Sequence, residues 1–202
     1  MKKLRLIITV IAIIITAVVC LRIYNVNIRD NNDSSNIVSS IINNNNEKIT
    51  YEAVTVRYVV DGDTLAVTDK NNNDFKVRLI GCDTPESVSS NENKNCEEGK
   101  EASEYTKSLI SPGNTVYLQY DAERYDKYER TLAYVWLSEP TEEISDENMQ
   151  KYMLNAKLLS EGQAKTLFVG SNTKYKLKFL SFENDAKKND KGFWNDGNFD
   201  KH

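Results

Sequence analysis

The chain has 202 residues, with 30 Asp and Glu against 26 Lys and Arg, a formal charge of −4, and a single histidine. That length suits one ordinary domain once the unusual first quarter is set aside, and it is too short for two. The one histidine is the terminal His202, which argues against His-ligated zinc sites, Ser-His-Asp or Cys-His hydrolysis, and any mechanism with a histidine base.

The chain opens with Met1-Lys2-Lys3-Leu4-Arg5, followed by an almost uninterrupted apolar run from Leu6 to Leu21 that Arg22 closes. Such a run is long for the apolar part of a signal peptide and slightly short for a comfortable membrane span. An uncleaved signal anchor is the favoured reading of residues 1–23, with the membrane met through residues 6–21, because Thr16-Ala17-Val18-Val19-Cys20 offers no small residue just before a plausible cut. A cleaved signal peptide is the alternative. A lipoprotein is a lesser one, since Val19 is bulky for the residue preceding a lipidated cysteine. The basic flank keeps the first residues in the cytoplasm and sends the rest across, so the expected location is extracytoplasmic, anchored at the cell surface or secreted. Residues 24–49 are rich in Asn and Ser and poor in large apolar groups. They have too little surface to order themselves by burial and read as a disordered linker.

From Tyr51 the texture changes to alternating β-branched and aromatic stretches broken by turn residues. Val54 to Val60 reads as a strand, Asp61-Gly62 as a tight hairpin turn, Thr64 to Thr68 as the returning strand, and Phe75 to Cys82 as a third. Glu97 to Ile110 places Ala102, Tyr105, Thr106, Leu109 and Ile110 at helical spacing and stops at Ser111-Pro112-Gly113. Two strands, Thr115 to Tyr120 and Thr131 to Leu137, flank a polar segment. A second helix is expected over Met149 to Gly162 and a third over about Lys174 to Lys188. The order βββ-α-ββ-α-α predicts an α+β domain that is mainly β barrel. The expectation is a five-stranded barrel of the OB type with three helices over residues 50–196, then a tail over 197–202.

Residues 50–202 hold 20 Lys and Arg against 27 Asp and Glu, a net −7. A nucleic-acid binder of the usual kind carries a basic footprint. Any contact with a polyanion must therefore be local, built from a few cations or a bound metal.

Three clusters carry chemistry. In Asp61-Gly62-Asp63-Thr64, Asp-Gly is a common turn pair, but a turn completed by Gly62 does not need Asp63. In the segment Val77 to Glu86, Asp-Thr-Pro-Glu could cap a turn. Arg78, however, lies inside an apolar strand where an unpaired guanidinium is expensive, so it calls for anions: Asp63, Asp83, Glu86 or a phosphate. The third cluster, Asp126-Lys127-Tyr128-Glu129-Arg130, runs from a polar loop into a strand and by itself reads equally well as a solvated hairpin.

In order along Tyr51 to Trp194, five signatures together resemble the staphylococcal nuclease (thermonuclease) family. They are the Asp-Gly-Asp-Thr turn, Arg-Leu followed after three residues by Asp-Thr-Pro-Glu, Gly-Lys-Glu-Ala-Ser at Gly99 to Ser103, Asp-x-Tyr-x-Arg-x-Leu-Ala-Tyr, and Glu-Gly-x-Ala-Lys. The resemblance implies a Ca²⁺-dependent phosphodiesterase acting on DNA and/or RNA, leaving 3′-phosphate and 5′-hydroxyl ends, and a monomer. It implies Asp63 and Asp83 as carboxylate ligands of Ca²⁺ with the backbone carbonyl of Thr84 beside them. Glu86 is then the residue that orients or deprotonates the attacking water, Arg78 and Arg130 the pair that grips the phosphate, and Lys127 and Tyr128 part of the nucleotide pocket. The competing class is a catalytically weak nucleic-acid-binding OB module at the cell surface; the presence of Asp63, Arg78, Asp83, Glu86 and Arg130 together favours the enzyme.

Three departures from the family pattern stand out. Glu129 takes the place of the usual glycine between the pocket tyrosine and the second arginine. Phe168 takes that of a tyrosine that helps bind nucleotide, so it can stack but not donate. The domain is acidic where the family's best-known member is basic. Cys82 and Cys96, the only cysteines after the N-terminal run, suit an intrachain disulfide in an oxidising space, with two independent thiols as the alternative.

Overall fold

The computed structural model describes residues 50–86, 96–140, 144–195 and Phe199. The apolar N-terminal run, the linker and the tail apart from Phe199 lie outside the described residues. Among the described ones, no helix is long and apolar enough to cross a membrane.

The described strands are β1 (Tyr51–Asp61), β2 (Thr64–Thr68), β3 (Asp74–Leu79), β4 (Gly81–Asp83), β5 (Thr115–Gln119), β6 (Thr131–Trp136) and β7 (Lys165–Leu167). The helices are α1 (Glu97–Leu109), α2 (Asp146–Tyr152), α3 (Leu154–Ser160) and α4 (Lys176–Lys188), with a 3-10 turn at Gly192–Trp194. Five strands close the expected barrel in the order β1-β2-β3-β6-β5, and β1 completes the ring against β5. All its pairs are antiparallel except β3 with β6, which is parallel.

Alternation of period two turns one side of each strand inward. Val54, Val56, Leu65, Val67, Val77, Leu79, Val116, Leu118, Ala133 and Val135 are each at most 2% exposed. Removing a valine or leucine of this set from water contributes about 1.5–3 kcal/mol. Outside the barrel, Phe179 and Phe182 of α4 are buried with Tyr134 and Tyr175, Phe179 meeting Tyr134 edge-on with ring centres 5.8 Å apart.

The structure corrects the sequence reading in three places. The strand expected from Phe75 to Cys82 breaks at Ile80. Gly81 takes φ +74, where a Cβ would sit 2.8 Å from the Phe179 ring, and β4 leaves the barrel to pair with β7. The two-residue loop between β1 and β2 is Gly62-Asp63, because Asp61 pairs with Thr64 across the hairpin. A β-bulge in β1 between Val59 and Asp61 shifts the register by that one position.

The helix expected over Met149 to Gly162 is two helices, giving four in place of three among the described residues. Met153 separates them in an extended conformation, φ −98 and ψ 118, and bridges to Trp136 at the end of β6. The Leu137 N–H also donates to the Tyr152 carbonyl at 2.7 Å. A sheet-edge bridge and complete burial of Met153 outweigh continuation of a pattern that is helical by spacing alone.

Where β3 bends away, Asn155 of α3 supplies the lost pairing. Its side-chain amide donates to the Ile80 carbonyl at 2.9 Å and accepts from the Val135 N–H at 2.9 Å, and the residue is fully buried. Replacing it by the similarly sized Leu strands both backbone groups. Asn155→Leu is therefore expected to lower stability by about 3 kcal/mol, read from urea unfolding; a loss within experimental error would show that water or relaxation satisfies those groups.

Candidate functional site

The register of β2 with β3 sets Thr64 opposite Arg78, and the Leu79 N–H donates to the Asp63 carbonyl at 3.0 Å. The Gly62-Asp63 loop is thereby held beside the guanidinium. Arg78 bridges two carboxylates, Nη1 to Asp63 Oδ2 at 2.9 Å and Nη2 to Asp83 Oδ1 at 2.8 Å. Nη1 also donates to the Cys82 carbonyl at 2.6 Å. The bend at Gly81 makes this possible, since it turns β4 so that Asp83 comes round to the same guanidinium. Asp63 is nearly enclosed; its Oδ2 accepts from the Thr84 N–H at 3.0 Å and its Oδ1 from the Thr64 hydroxyl at 3.0 Å. Asp83 keeps 47% of its side chain exposed.

The Gly62 backbone lies against Thr84, whose Oγ1 would be 2.7 Å from any Cβ there. Only glycine allows that approach. From the other side, Thr106 of α1 donates to the Gly62 carbonyl at 2.7 Å.

The electrostatics of this corner are anionic. Burial holds the Asp63 carboxyl above its ordinary value, with Arg78 and the Thr84 N–H opposing it. The Glu86 carboxyl is also raised, first by desolvation and then by the negative charges of Asp61, Asp63 and Asp83, against the pull of Arg78. Asp61, Asp63 and Asp83 thus all bear on Glu86, and Arg78 is the cation that offsets them. Their donors are all hard oxygens, and the buried Thr84 hydroxyl has no hydrogen-bond partner. Among the described residues no three His, Cys, Asp or Glu side chains converge on one point. A cation here would take two carboxylates, Asp63 and Asp83, with the Thr84 carbonyl, and fill its remaining positions with water and substrate. This donor set fits a hard divalent ion.

Arg78 opens on a groove of ≈ 360 Å³ that Lys127, Tyr128, Arg130 and Phe168 also line. Five of the residues expected from sequence therefore line one cavity; Asp63, Asp83, Thr84 and Glu86 lie outside its lining, the first two tied to it through Arg78. The Tyr128 and Arg130 side of the groove is organised by Asp126. Its Oδ1 accepts from the N–H groups of Tyr128 and Arg130, each at 2.9 Å, and its Oδ2 from Arg130 Nε at 2.7 Å. Burial pushes the Asp126 carboxyl up, but the backbone N–H and guanidinium of Arg130 and the N–H of Tyr128 outweigh it and hold it below its ordinary value. Sequence reading assigned Asp126 no role. The only signal was an Asp opening a polar segment, since Asp side chains commonly bond backbone N–H groups a few residues on and build turns.

Glu129 sits in the left-handed region, φ +62, which explains why glycine suits this position. Glu129→Gly is expected to raise stability by about 0.5–1 kcal/mol in urea unfolding, the strain relieved exceeding the extra chain entropy. A loss of stability would mean that the Glu129 side chain contributes more than its backbone costs.

The disulfide expectation is not met. Cys82 points inward from β4, 1% exposed, and its thiol donates to the Asn155 carbonyl at 3.2 Å. Cys96 stands at the N-terminus of α1 with its N–H on the Glu86 carbonyl at 3.1 Å. Both are free thiols, and burial raises the pKa of each. One is committed to the core and the other to the helix start.

A model of the family described as staphylococcal nuclease homologue matches residues 76–196. The thermonuclease of Staphylococcus intermedius is 40% identical over 143 residues, 71% of this chain and 76% of that protein. The thermonuclease of Staphylococcus hyicus is 38% identical over 162 residues, 80% of this chain and 85% of that protein. Endonuclease YhcR of Bacillus subtilis is 32% identical over 152 residues, 72% of this chain but 12% of that protein. A closed five-stranded barrel, an arginine bridging the carboxylates of the β1–β2 loop and of β4, and likeness over most of the length lead to one conclusion: the chain belongs to the staphylococcal nuclease family.

Proposed function

We propose that the protein is a Ca²⁺-dependent nuclease that hydrolyses phosphodiester bonds of DNA and/or RNA to 3′-phosphate and 5′-hydroxyl ends, acting as a monomer outside the cytoplasm. The observation that carries this reading is Arg78, held between Asp63 and Asp83 and facing a groove that Arg130 also lines. The location rests on the basic flank and apolar run at residues 1–21.

A phosphodiester is anionic and repels hydroxide, so its hydrolysis needs cations at the phosphate and a carboxylate at the water. Asp63, Asp83 and the Thr84 carbonyl would hold Ca²⁺. Bound there, the ion supplies positive charge against a phosphoryl oxygen. Arg78 and Arg130 present forked N–H donors to the remaining oxygens, which gain charge as water adds. Glu86, with no histidine available in the domain, takes the water's proton or aims its lone pair. Lys127 and Tyr128 on one wall and Phe168 on the other position the nucleotide. Digestion of single-stranded DNA with Ca²⁺, and again with chelator, tests the reading. Cleavage that survives the chelator removes the metal assignment, and binding without cleavage under both conditions favours a non-catalytic module.

Salt dependence separates local from global electrostatics. The net −7 of residues 50–202 repels a long polyanion at a distance, whereas Arg78, Arg130 and Lys127 attract a phosphate already in the groove. Repulsion is screened over roughly 10 Å at 0.1 M salt, and contacts inside the site much less. Raising salt from low to moderate is expected to raise kcat/KM on long DNA or leave it flat. A steep fall on long DNA, absent on a dinucleotide, would reveal a clustered basic track.

A further inference from the structure

The groove has one aromatic residue that the functional reading leaves unused. Tyr125 lines it beside Lys127, Tyr128 and Arg130 and is 60% exposed. The other two aromatic rings of the lining are each partly engaged. Tyr128 has Lys127 Nζ 4.9 Å and the Arg130 guanidinium 5.4 Å from its ring centre. Phe168 has Lys176 Nζ at 5.7 Å and packs near Phe179 with ring centres 6.3 Å apart. Among the described residues no aromatic ring or cation is stacked on Tyr125.

An exposed tyrosine alone needs no explanation. What distinguishes this one is its support and its neighbours. Its backbone is bridged to Thr131 across the hairpin. On either side the Leu132 N–H donates to the Arg124 carbonyl at 2.9 Å and the Asp126 N–H to the Arg130 carbonyl at 3.0 Å. The ring is therefore presented on a fixed hairpin, so little backbone entropy is lost when something packs on it. The same hairpin carries Lys127 and Arg130, and Arg78 lies on the adjoining wall. Cations within the groove and an open aromatic face at its rim match a ligand that alternates phosphates with flat π-surfaces.

We propose that Tyr125 is a base-stacking residue, taking an unpaired nucleobase next to the nucleotide that Lys127, Tyr128 and Phe168 hold, so that the groove binds consecutive nucleotides of a single strand. The proposal rests on reading the groove as the nucleic-acid site. It concerns substrate positioning and not the chemical step, so Tyr125 should contribute to KM and leave kcat near its wild-type value. Stacking on an aromatic side chain tolerates any base, because every base has a π-face.

The test is fluorescence anisotropy of a labelled short oligothymidylate with the full chain in chelator, where binding is read without turnover. The companion probe is the same sugar-phosphate chain lacking bases. Tyr125→Ala is expected to weaken oligothymidylate binding by about 10- to 100-fold, Tyr125→Phe by no more than about 2-fold since the ring remains, and neither should alter binding of the base-free chain. Equal binding of oligothymidylate by wild type and Tyr125→Ala would overturn the stack, as would equal losses on both probes, which would point to a general distortion of the hairpin. An unchanged melting temperature of Tyr125→Ala guards against that distortion. If wild type binds neither probe, the groove is not the nucleic-acid site and this proposal falls with it. If wild type binds both but cleaves nothing when Ca²⁺ is restored, the nuclease reading fails while the stacking result stands.

Discussion

An Arg78→Met protein is expected to be less stable than wild type by about 3 kcal/mol near neutral pH, and to recover most of that loss in acid. Arg78 is 13% exposed and Asp63 8%, so the substitution leaves a nearly enclosed carboxylate without its counter-ion. Breaking such a pair from one side costs far more than the pair itself contributes. The pH dependence follows from Asp63. Its carboxyl is already held above the usual range by burial, with Arg78 pulling the other way, and loss of Arg78 raises it further.

A carboxyl raised in the folded state binds its proton more tightly there than in the unfolded chain. Its stabilising contribution is fully present below the unfolded value and is lost as pH rises through the folded one. The gap between Arg78→Met and wild type should therefore widen from about pH 4 upward. Urea unfolding in chelator across that range measures it, the chelator preventing a cation from replacing the guanidinium. Pairing the change with Asp63→Asn should restore much of the stability without restoring activity. A gap that does not vary with pH would mean that the loss comes from packing of the Arg78 stem.

The second large effect is on turnover. Glu86→Gln and Arg130→Ala are each expected to lower kcat by about 10²-fold or more with the fold intact, because each acts where charge develops or a proton moves. Their surroundings support intact folding. Glu86 is exposed. Arg130 is held chiefly by Asp126, whose Oδ1 keeps the N–H of Tyr128 when the guanidinium is gone. Single-turnover cleavage of a short DNA at saturating Ca²⁺ isolates the step. Asp83→Ala separates the metal role from these two, since it should weaken the response to Ca²⁺ and recover part of its activity at high Ca²⁺. Near-normal kcat in either of the first two variants would remove that residue from the chemistry.

Much of this site was legible before any coordinates because its chemistry conflicts with its local setting. An arginine in an apolar strand and a domain without a usable histidine each narrow the possibilities by burial cost or by side-chain inventory alone. The barrel was legible for a different reason. Period-two alternation in parts of β1 and β5 records which face meets the core, a local property of each strand, while β2 and β6 read as short apolar runs because they are buried on both faces.

The features that escaped depend on partners distant in sequence. Asn155 is 75 residues from the Ile80 carbonyl it pairs with, and nothing in its own helix announces a missing strand bond. The break at Met153 is set by Trp136 at the end of β6, and the bend at Gly81 by the ring of Phe179. The free state of Cys82 and Cys96 goes with an equally remote partner, since one thiol donates to the Asn155 carbonyl while the other cysteine starts α1. The sequence by itself determined which segments supply the core and which charged side chains are available for a site. Only the tertiary structure decided which carboxylates share Arg78, since ion pairing depends on a few ångströms of separation that packing between remote elements sets.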